Sequence, residues 1–169
     1  MPRPSRRKIG TMEVVSLFAY DEIRDFILTK HTPIGYRVYR YFAKKHIGDF
    51  LESCSDIIKG DRAYIVGVDE YVKGGYSHIA VLSRYGASGA FKPLNAKLIA
   101  RNRVDYAGKT IEFRIENPRD FEYTGPSGID VVLLDDIVTT GLTLQEAGSV
   151  VRGHGVNVLF ALTLADASR

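Results

Sequence analysis

The stretch Val131-Val-Leu-Leu-Asp-Asp-Ile-Val-Thr-Thr-Gly-Leu-Thr143 decides how this chain is read. Val131–Leu134 is an uninterrupted apolar run without alternation, the pattern of a strand buried on both faces, as in a parallel sheet. Asp135 and Asp136 follow at its C-terminal end, the edge at which open parallel sheets bind ligands. Successive strand residues point to opposite faces, so two adjacent carboxylates cannot share one neighbour, and near a crevice at least one can face a ligand. Carboxylates only accept hydrogen bonds, which suits sugar hydroxyls or a metal ion.

The turn Thr139-Thr-Gly-Leu-Thr143 offers the opposite chemistry. Thr143 and Glu146 have the Thr-x-x-Glu spacing of a capping box, which predicts a helix start there. A helix N-terminus carries unpartnered N–H groups and partial positive charge. Gly141 lets backbone approach a ligand closely. Thr139, Thr140 and Thr143 add hydroxyls around Gly141 and Leu142, and the whole turn reads as a phosphate cup. Asp-Asp after a strand, or Thr-Thr-Gly alone, is most simply a polar loop or an ordinary turn. Joined at this spacing, they point to a sugar phosphate held at both ends.

Outward from this stretch, the helix runs through Val150 and Val151 to Gly153 or Gly155, and Val156–Leu164 is the next strand. Met12–Ala19 and Arg62–Val68 read as strands and Leu98–Ala100 as a short one. Helices are predicted after Asp21, over Tyr36–Leu51 with Val38, Phe42, Phe50 and Leu51 inward, over Ser77–Tyr85, and over Gly108–Glu116. The alternation predicts an α/β fold with a mostly parallel twisted sheet flanked by helices. Residues 1–12, with Arg3, Arg6, Arg7 and Lys8, read as a mobile basic arm, and 13–169 as one domain.

The chain has 169 residues and 45% hydrophobic content, enough for one core. No apolar run has the length of a membrane span and no apolar segment follows the basic start, so a cytoplasmic protein is expected. Cys54 is the single cysteine, which excludes an internal disulfide and a cysteine-based zinc site. His31, His46, His78 and His154 are scattered without metal-ligand spacing. Neither a Ser-His-Asp or Cys-His arrangement nor a Walker-type loop is present.

Position by position, Val131–Thr143 resembles the phosphoribosyl pyrophosphate (PRPP) motif of the type I phosphoribosyltransferases. Within that superfamily the chain is most similar to the ComF family of DNA-uptake (competence) proteins. Tyr64-Ile-Val-Gly-Val-Asp-Glu70 resembles the family's strand and pyrophosphate loop, and Gly75-Tyr-Ser-His-Ile-Ala-Val-Leu82 its Gly-aromatic-Asn-Gln helix start. Tyr106-Ala-Gly-Lys-Thr110 with Arg114 and Asn117 resembles its Gln-Ala-Gly-Leu-Ser, Arg, Asn segment. Two departures stand out: Ser77 and His78 replace the favoured Asn and Gln, and the four-cysteine zinc module that often precedes the family's domain has no counterpart here.

The resemblance implies that Asp135 and Asp136 hold the ribose 2- and 3-hydroxyls of PRPP, and that Thr139, Thr140, Gly141, Leu142 and Thr143 bind its 5-phosphate. It implies a pyrophosphate loop at Val68, Asp69 and Glu70. It places Lys109, with Arg101 or Arg103, in a segment closing over pyrophosphate, and it is the main ground for a ligand role of Lys109, Arg114 and Arg119, which otherwise form only the solvated face of a short helix. Magnesium is expected to travel with PRPP, and no protein-built metal site is expected. The acceptor is not legible. The resemblance also implies a role in natural transformation, with single-stranded DNA and a DNA-uptake channel or helicase as partners. A metabolic phosphoribosyltransferase making a nucleotide from a free base is the alternative.

Charge placement adds an independent observation. Residues 1–46 hold ten Lys/Arg against four Asp/Glu, and the remainder thirteen against sixteen. Tyr36-Arg-Val-Tyr-Arg-Tyr-Phe-Ala-Lys-Lys-His46 interleaves bases with aromatics, the combination that grips single strands by stacking and phosphate pairing. Arg37, Tyr39, Arg40, Lys44 and Lys45 are the candidate DNA contacts. At helical spacing Val38, Phe42 and Tyr39 could equally face the core, with the bases in water.

Overall fold

The computed structural model describes residues 3–106 and 108–168. Met1 and Pro2 of the expected arm, Ala107 of the Tyr106–Thr110 stretch, and Arg169 lie outside them. The chain runs β1 (Ser5–Ile9), β2 (Met12–Ala19), α1 (Tyr20–Ile27), α2 (Pro33–Phe42), α3 (Gly48–Ser53), β3 (Ala63–Gly67), α4 (His78–Gly86) and β4 (Phe91–Pro93). It continues through β5 (Leu98–Ala100), α5 (Ile111–Glu116), β6 (Phe121–Tyr123), β7 (Asp130–Val138), α6 (Leu142–Gly153) and β8 (Asn157–Asp166).

Six strands form the central sheet in the order β1-β2-β8-β7-β3-β4. The pairs from β2 to β4 are parallel, and β1 alone is antiparallel. The fold is thus the expected α/β arrangement with a mostly parallel sheet. β5 and β6 pair antiparallel in a separate two-stranded sheet beyond the C-terminal end of β3.

Alternation along β7 divides the core. Val132 and Leu134 face the layer of α1–α4 with Tyr39, Ile47, Ile79 and Leu82. Val131 and Leu133 face α6 and the small sheet with Leu98, Leu144 and Val151. Burying each such side chain stabilises by about 1.5–3 kcal/mol, so a one-residue register slip is strongly disfavoured. By the same parity Asp136 belongs to the α1–α4 side and Asp135 to the α6 side.

Three expectations change. Residues 5–9 are not a mobile arm but an edge strand paired with β2 from Ser5↔Ser16 to Ile9↔Met12. Arg6 reaches Glu13 at 2.8 Å, and Arg7 lies 3.4 Å from the buried Asp166. The helix expected over Tyr36–Leu51 starts earlier, because Thr32 caps it by accepting from the Gly35 N–H and Pro33 occupies its first turn. It then widens into a π turn over Ala43–Ile47 before α3. That turn sets the fully buried Ile47 against Gly86 of α4, where a Cβ would come within 2.5 Å of Ile47 Cγ2. Finally, β7 does not stop before the carboxylates. It pairs with β8 through Asp135↔Thr163 and Val138↔Asp166, so Asp135 and Asp136 lie inside the strand.

Candidate functional site

β7 delivers Asp136 into the side occupied by α2 and α4. Its Oδ2 accepts from Lys30 Nζ at 3.1 Å and Tyr39 OH at 3.3 Å, and lies 3.4 Å from His78 Nε2. Only 6% of Asp136 is exposed. Burial alone would raise its pKa, but the His78 hydrogen bond and the Lys30 charge outweigh it and hold the carboxyl well below its ordinary value. Asp135 faces the other way, its Oδ1 accepting the Asp136 N–H at 2.8 Å. Burial, reinforced by the Asp136 charge, pushes Asp135 well above its ordinary value. The two carboxyls are thus electrostatically unlike, their pKa values being pushed in opposite directions.

Lys30, in the turn after α1, feels opposing effects. Burial lowers its pKa, and Asp136 more than restores it. His31 stacks edge-on against His78 with ring centres 5.2 Å apart, and burial together with His78 and Lys30 lowers its pKa.

The turn after β7 adopts the anticipated geometry by a different local device. Gly141 has φ +84°, a left-handed conformation that favours glycine, and a Cβ there would collide with the Ile9 side chain of β1. Gly141 caps α6, and no side-chain cap bond is made. The expected Thr143–Glu146 box does not form, because α6 begins at Leu142 with Gly141 as its cap and Thr143 lies inside the helix; Glu146 instead accepts from the backbone N–H groups of Arg119 and Asp120 at 3.2 and 2.8 Å. Thr139 and Thr140 are exposed. Arg7 Nη2 donates to the Thr139 carbonyl at 2.5 Å, and Arg114 Nη1 donates to its hydroxyl at 3.0 Å.

At the end of β3, Val68–Glu70 turns sharply, with Asp69 at φ +59°. The Val68 and Asp69 N–H groups go to the carbonyls of Leu134 and Leu98, and the Tyr71 N–H to that of Asp69. Asp69 Oδ1 accepts from the Ala100 N–H at 3.1 Å and Glu70 Oε2 from the Ala96 N–H at 2.7 Å. Burial raises Glu70 to about 6 despite the Ala96 hydrogen bond.

Of the cations expected over this loop, Arg103 lies 3.5 Å from Asp69 and stacks 3.8 Å from the Tyr71 ring centre. Arg101 instead pairs with Glu122 and Asp120 at 3.1 and 4.0 Å. Lys109 lies over Phe113. Arg119, given no certain role by its sequence context, approaches Asp69 at 3.8 Å. Lys30 is therefore the site neighbour that sequence reasoning missed, whereas His78 enters there only as a departure from the resemblance, and Arg114 and Arg119 take a ligand role there from the resemblance alone. The usable signal was the parity of Asp136 with Val132 and Leu134, which already assigns it to the helical side.

The basic-aromatic helix is split by its own periodicity. Tyr39 is a core residue, 1% exposed, and leaves the set of candidate DNA contacts. Arg37, Arg40, Lys44 and Lys45 are exposed and, with Tyr41, line a groove of about 530 Å³. Arg40 lies 4.9 Å from the Tyr85 ring centre.

Among the described residues, no cluster of three or more His, Cys, Asp or Glu is arranged to hold a metal ion, and no helix is long and apolar enough to cross a membrane. No family profile matches the sequence, and no curated protein matches it. Solved structures do. An adenine phosphoribosyltransferase is 16% identical over 96% of this chain and 84% of its own, with a TM-score of 0.47. The Saccharomyces cerevisiae adenine phosphoribosyltransferase is 16% identical over 98% and 84%, with a TM-score of 0.46. A phosphoribosyltransferase from Corynebacterium diphtheriae is 17% identical over 90% and 70%, with a TM-score of 0.45. Likeness at this level identifies neither substrate nor activity, and the functional reading rests on the site itself.

Proposed function

We propose that this chain binds PRPP at the C-terminal edge of its sheet, as a phosphoribosyltransferase-like protein that handles single-stranded DNA in the cytoplasm during natural transformation. The observation that carries the reading is a single continuous segment: a buried strand bearing Asp135 and Asp136 that runs into a left-handed Gly141 and the N-terminus of α6. The turn Thr139–Thr143 would seat the 5-phosphate on first-turn N–H groups and threonine hydroxyls. Asp135 and Asp136 would orient the ribose hydroxyls. Because Asp136 Oδ2 is engaged by three donors, it presents a fixed anion near the sugar, able to favour positive charge developing at C1.

In transfer, the bond from C1 to the pyrophosphate oxygen breaks as an acceptor lone pair bonds to C1, and pyrophosphate leaves with the electron pair. A magnesium ion bound to the diphosphate would neutralise its charge and enter with PRPP. The protein's part is positioning and charge complementarity.

The groove of Arg37, Arg40, Tyr41, Lys44 and Lys45 supports the nucleic-acid part of the proposal, because it combines cations with an exposed ring. A metabolic transferase acting on a free base has no comparable feature in its favour here.

The test is calorimetric titration of magnesium PRPP into the protein and into Asp135→Asn/Asp136→Asn, with thermal unfolding of both. Binding by the first, and loss of at least tenfold affinity in a folded variant, is expected. A folded variant that binds equally well would place the ligand elsewhere. No binding by the unaltered protein would end the PRPP reading.

A further inference from the structure

We infer that Arg114 and Arg119 are the two anion-binding arginines of this site, Arg114 serving the phosphate on the Thr139–Thr143 turn and Arg119 the diphosphate beside Asp69. The inference rests on the PRPP reading and specifies how a ligand with phosphate groups at both ends is met.

The two guanidinium groups share one support. Arg114 and Arg119 lie 5.5 and 4.6 Å from the centre of the Tyr106 ring, and the Tyr106 hydroxyl donates to the Asn117 carbonyl at 2.7 Å. Arg114 Nη1 donates to Thr139 Oγ1 and Nη2 to the Tyr106 carbonyl, both at 3.0 Å. Arg119 Nη1 is 3.8 Å from Asp69 Oδ2. Tyr106 thus spaces two cations, one at the phosphate turn and one at the pyrophosphate loop. Glu146 of α6, accepting from the Arg119 and Asp120 N–H groups, ties this arch to the helix whose N-terminus forms the turn. The spacing between arch and turn is therefore set by direct hydrogen bonds.

Donor supply points the same way. Of the four N–H groups from Val68 to Tyr71, those of Val68, Asp69 and Tyr71 are already donated within the protein, so a diphosphate there needs side-chain donors as well. Arg101 is turned to Glu122 and Asp120. Arg103 is stacked on Tyr71 and is 48% exposed, against 23% for Arg119. The Nε atoms of both Arg114 and Arg119 are buried without a hydrogen-bond partner. Each guanidinium thus holds donor capacity beyond its present contacts, in the planar fork that matches phosphate oxygens.

The experiment titrates ribose 5-phosphate, magnesium pyrophosphate and magnesium PRPP into the unaltered protein, Arg114→Gln, Arg119→Gln and Arg103→Gln, with thermal unfolding of each. Arg114→Gln is expected to weaken ribose 5-phosphate at least tenfold and spare pyrophosphate, and Arg119→Gln to do the reverse. Both should weaken PRPP. A variant that lowers both probes alike overturns the assignment, as does selective pyrophosphate loss in Arg103→Gln alone. Where a Gln variant does not fold, the Lys variant replaces it. It keeps the charge without the fork, so the same selective loss, smaller in size, is expected, and an unselective loss overturns the inference. An unaltered protein that binds PRPP while no variant discriminates between the probes sinks this inference alone. An unaltered protein that binds none of the three sinks the PRPP reading with it.

Discussion

Asp135 and Asp136 have the same chemistry and neighbouring positions, yet the sheet sends them to unlike surroundings. Asp136 is fixed by Lys30, Tyr39 and His78, and each deletion should cost accordingly. Tyr39→Phe removes one hydrogen bond to a charged acceptor and is expected to lower stability by about 1–3 kcal/mol in urea unfolding. Lys30→Met withdraws the ammonium from a buried carboxylate and should cost about as much, moderated because the lysine is 32% exposed. Glu70 sets a pH dependence of opposite sign to the usual carboxylate. Its folded pKa is raised from 4.5 to about 6, so the native state binds the proton more tightly than the unfolded chain. Its contribution is therefore greatest below pH 4.5 and is lost as pH rises through 6. Glu70→Gln should be more stable than the unaltered protein at pH 7, by about 2 kcal/mol, and the difference should shrink toward pH 4.5.

At the scale of elements, β1 and the Thr139–Thr143 turn form one unit. Ile9 packs where a Gly141 side chain would go, and Arg7 donates to the Thr139 carbonyl. Gly141→Ala combines left-handed strain with this collision and should cost at least about 1 kcal/mol while weakening phosphate binding. Ile9→Ala in the same background relieves the collision and leaves the strain. A double-mutant cycle read by urea unfolding should therefore show a partial rescue. No rescue would mean that backbone conformation accounts for the whole effect.

For the whole molecule, the decisive property is where charge lies. The net charge is only +3, yet Arg37, Arg40, Lys44 and Lys45 line one groove. Arg37→Gln/Arg40→Gln/Lys44→Gln should weaken single-stranded DNA in gel retardation. It should also flatten the dependence of log affinity on log salt by about 2, as three phosphate contacts of about 0.7 each are removed. An unchanged slope would exclude this groove as the contact surface. These residues are remote in role from the PRPP turn, so PRPP affinity is expected to stay within about twofold.

Short-range physics made much of this legible in the sequence. The unbroken apolar run Val131–Leu134, the glycine that must turn, and the alternation of strand and helix signals determined a mostly parallel sheet with a glycine turn leading into a helix. Each depends on residues within a few positions of one another. The Asp136 partners could not be read this way, since Lys30 and Tyr39 lie 106 and 97 positions away and meet it only when α1 and α2 cover the sheet. Glu146 shows the same limit. Its spacing from Thr143 favours a local cap, but the helix starts earlier, at Leu142, and folding brings the Arg119 and Asp120 N–H groups to Glu146 instead. Local pattern thus determined which elements form and where the turn lies. Tertiary packing decided in which direction each carboxyl's pKa moves, that Tyr39 is core, and which arginines lie beside the turn and the Asp69 loop, because those outcomes depend on what solvent is excluded and which donors arrive.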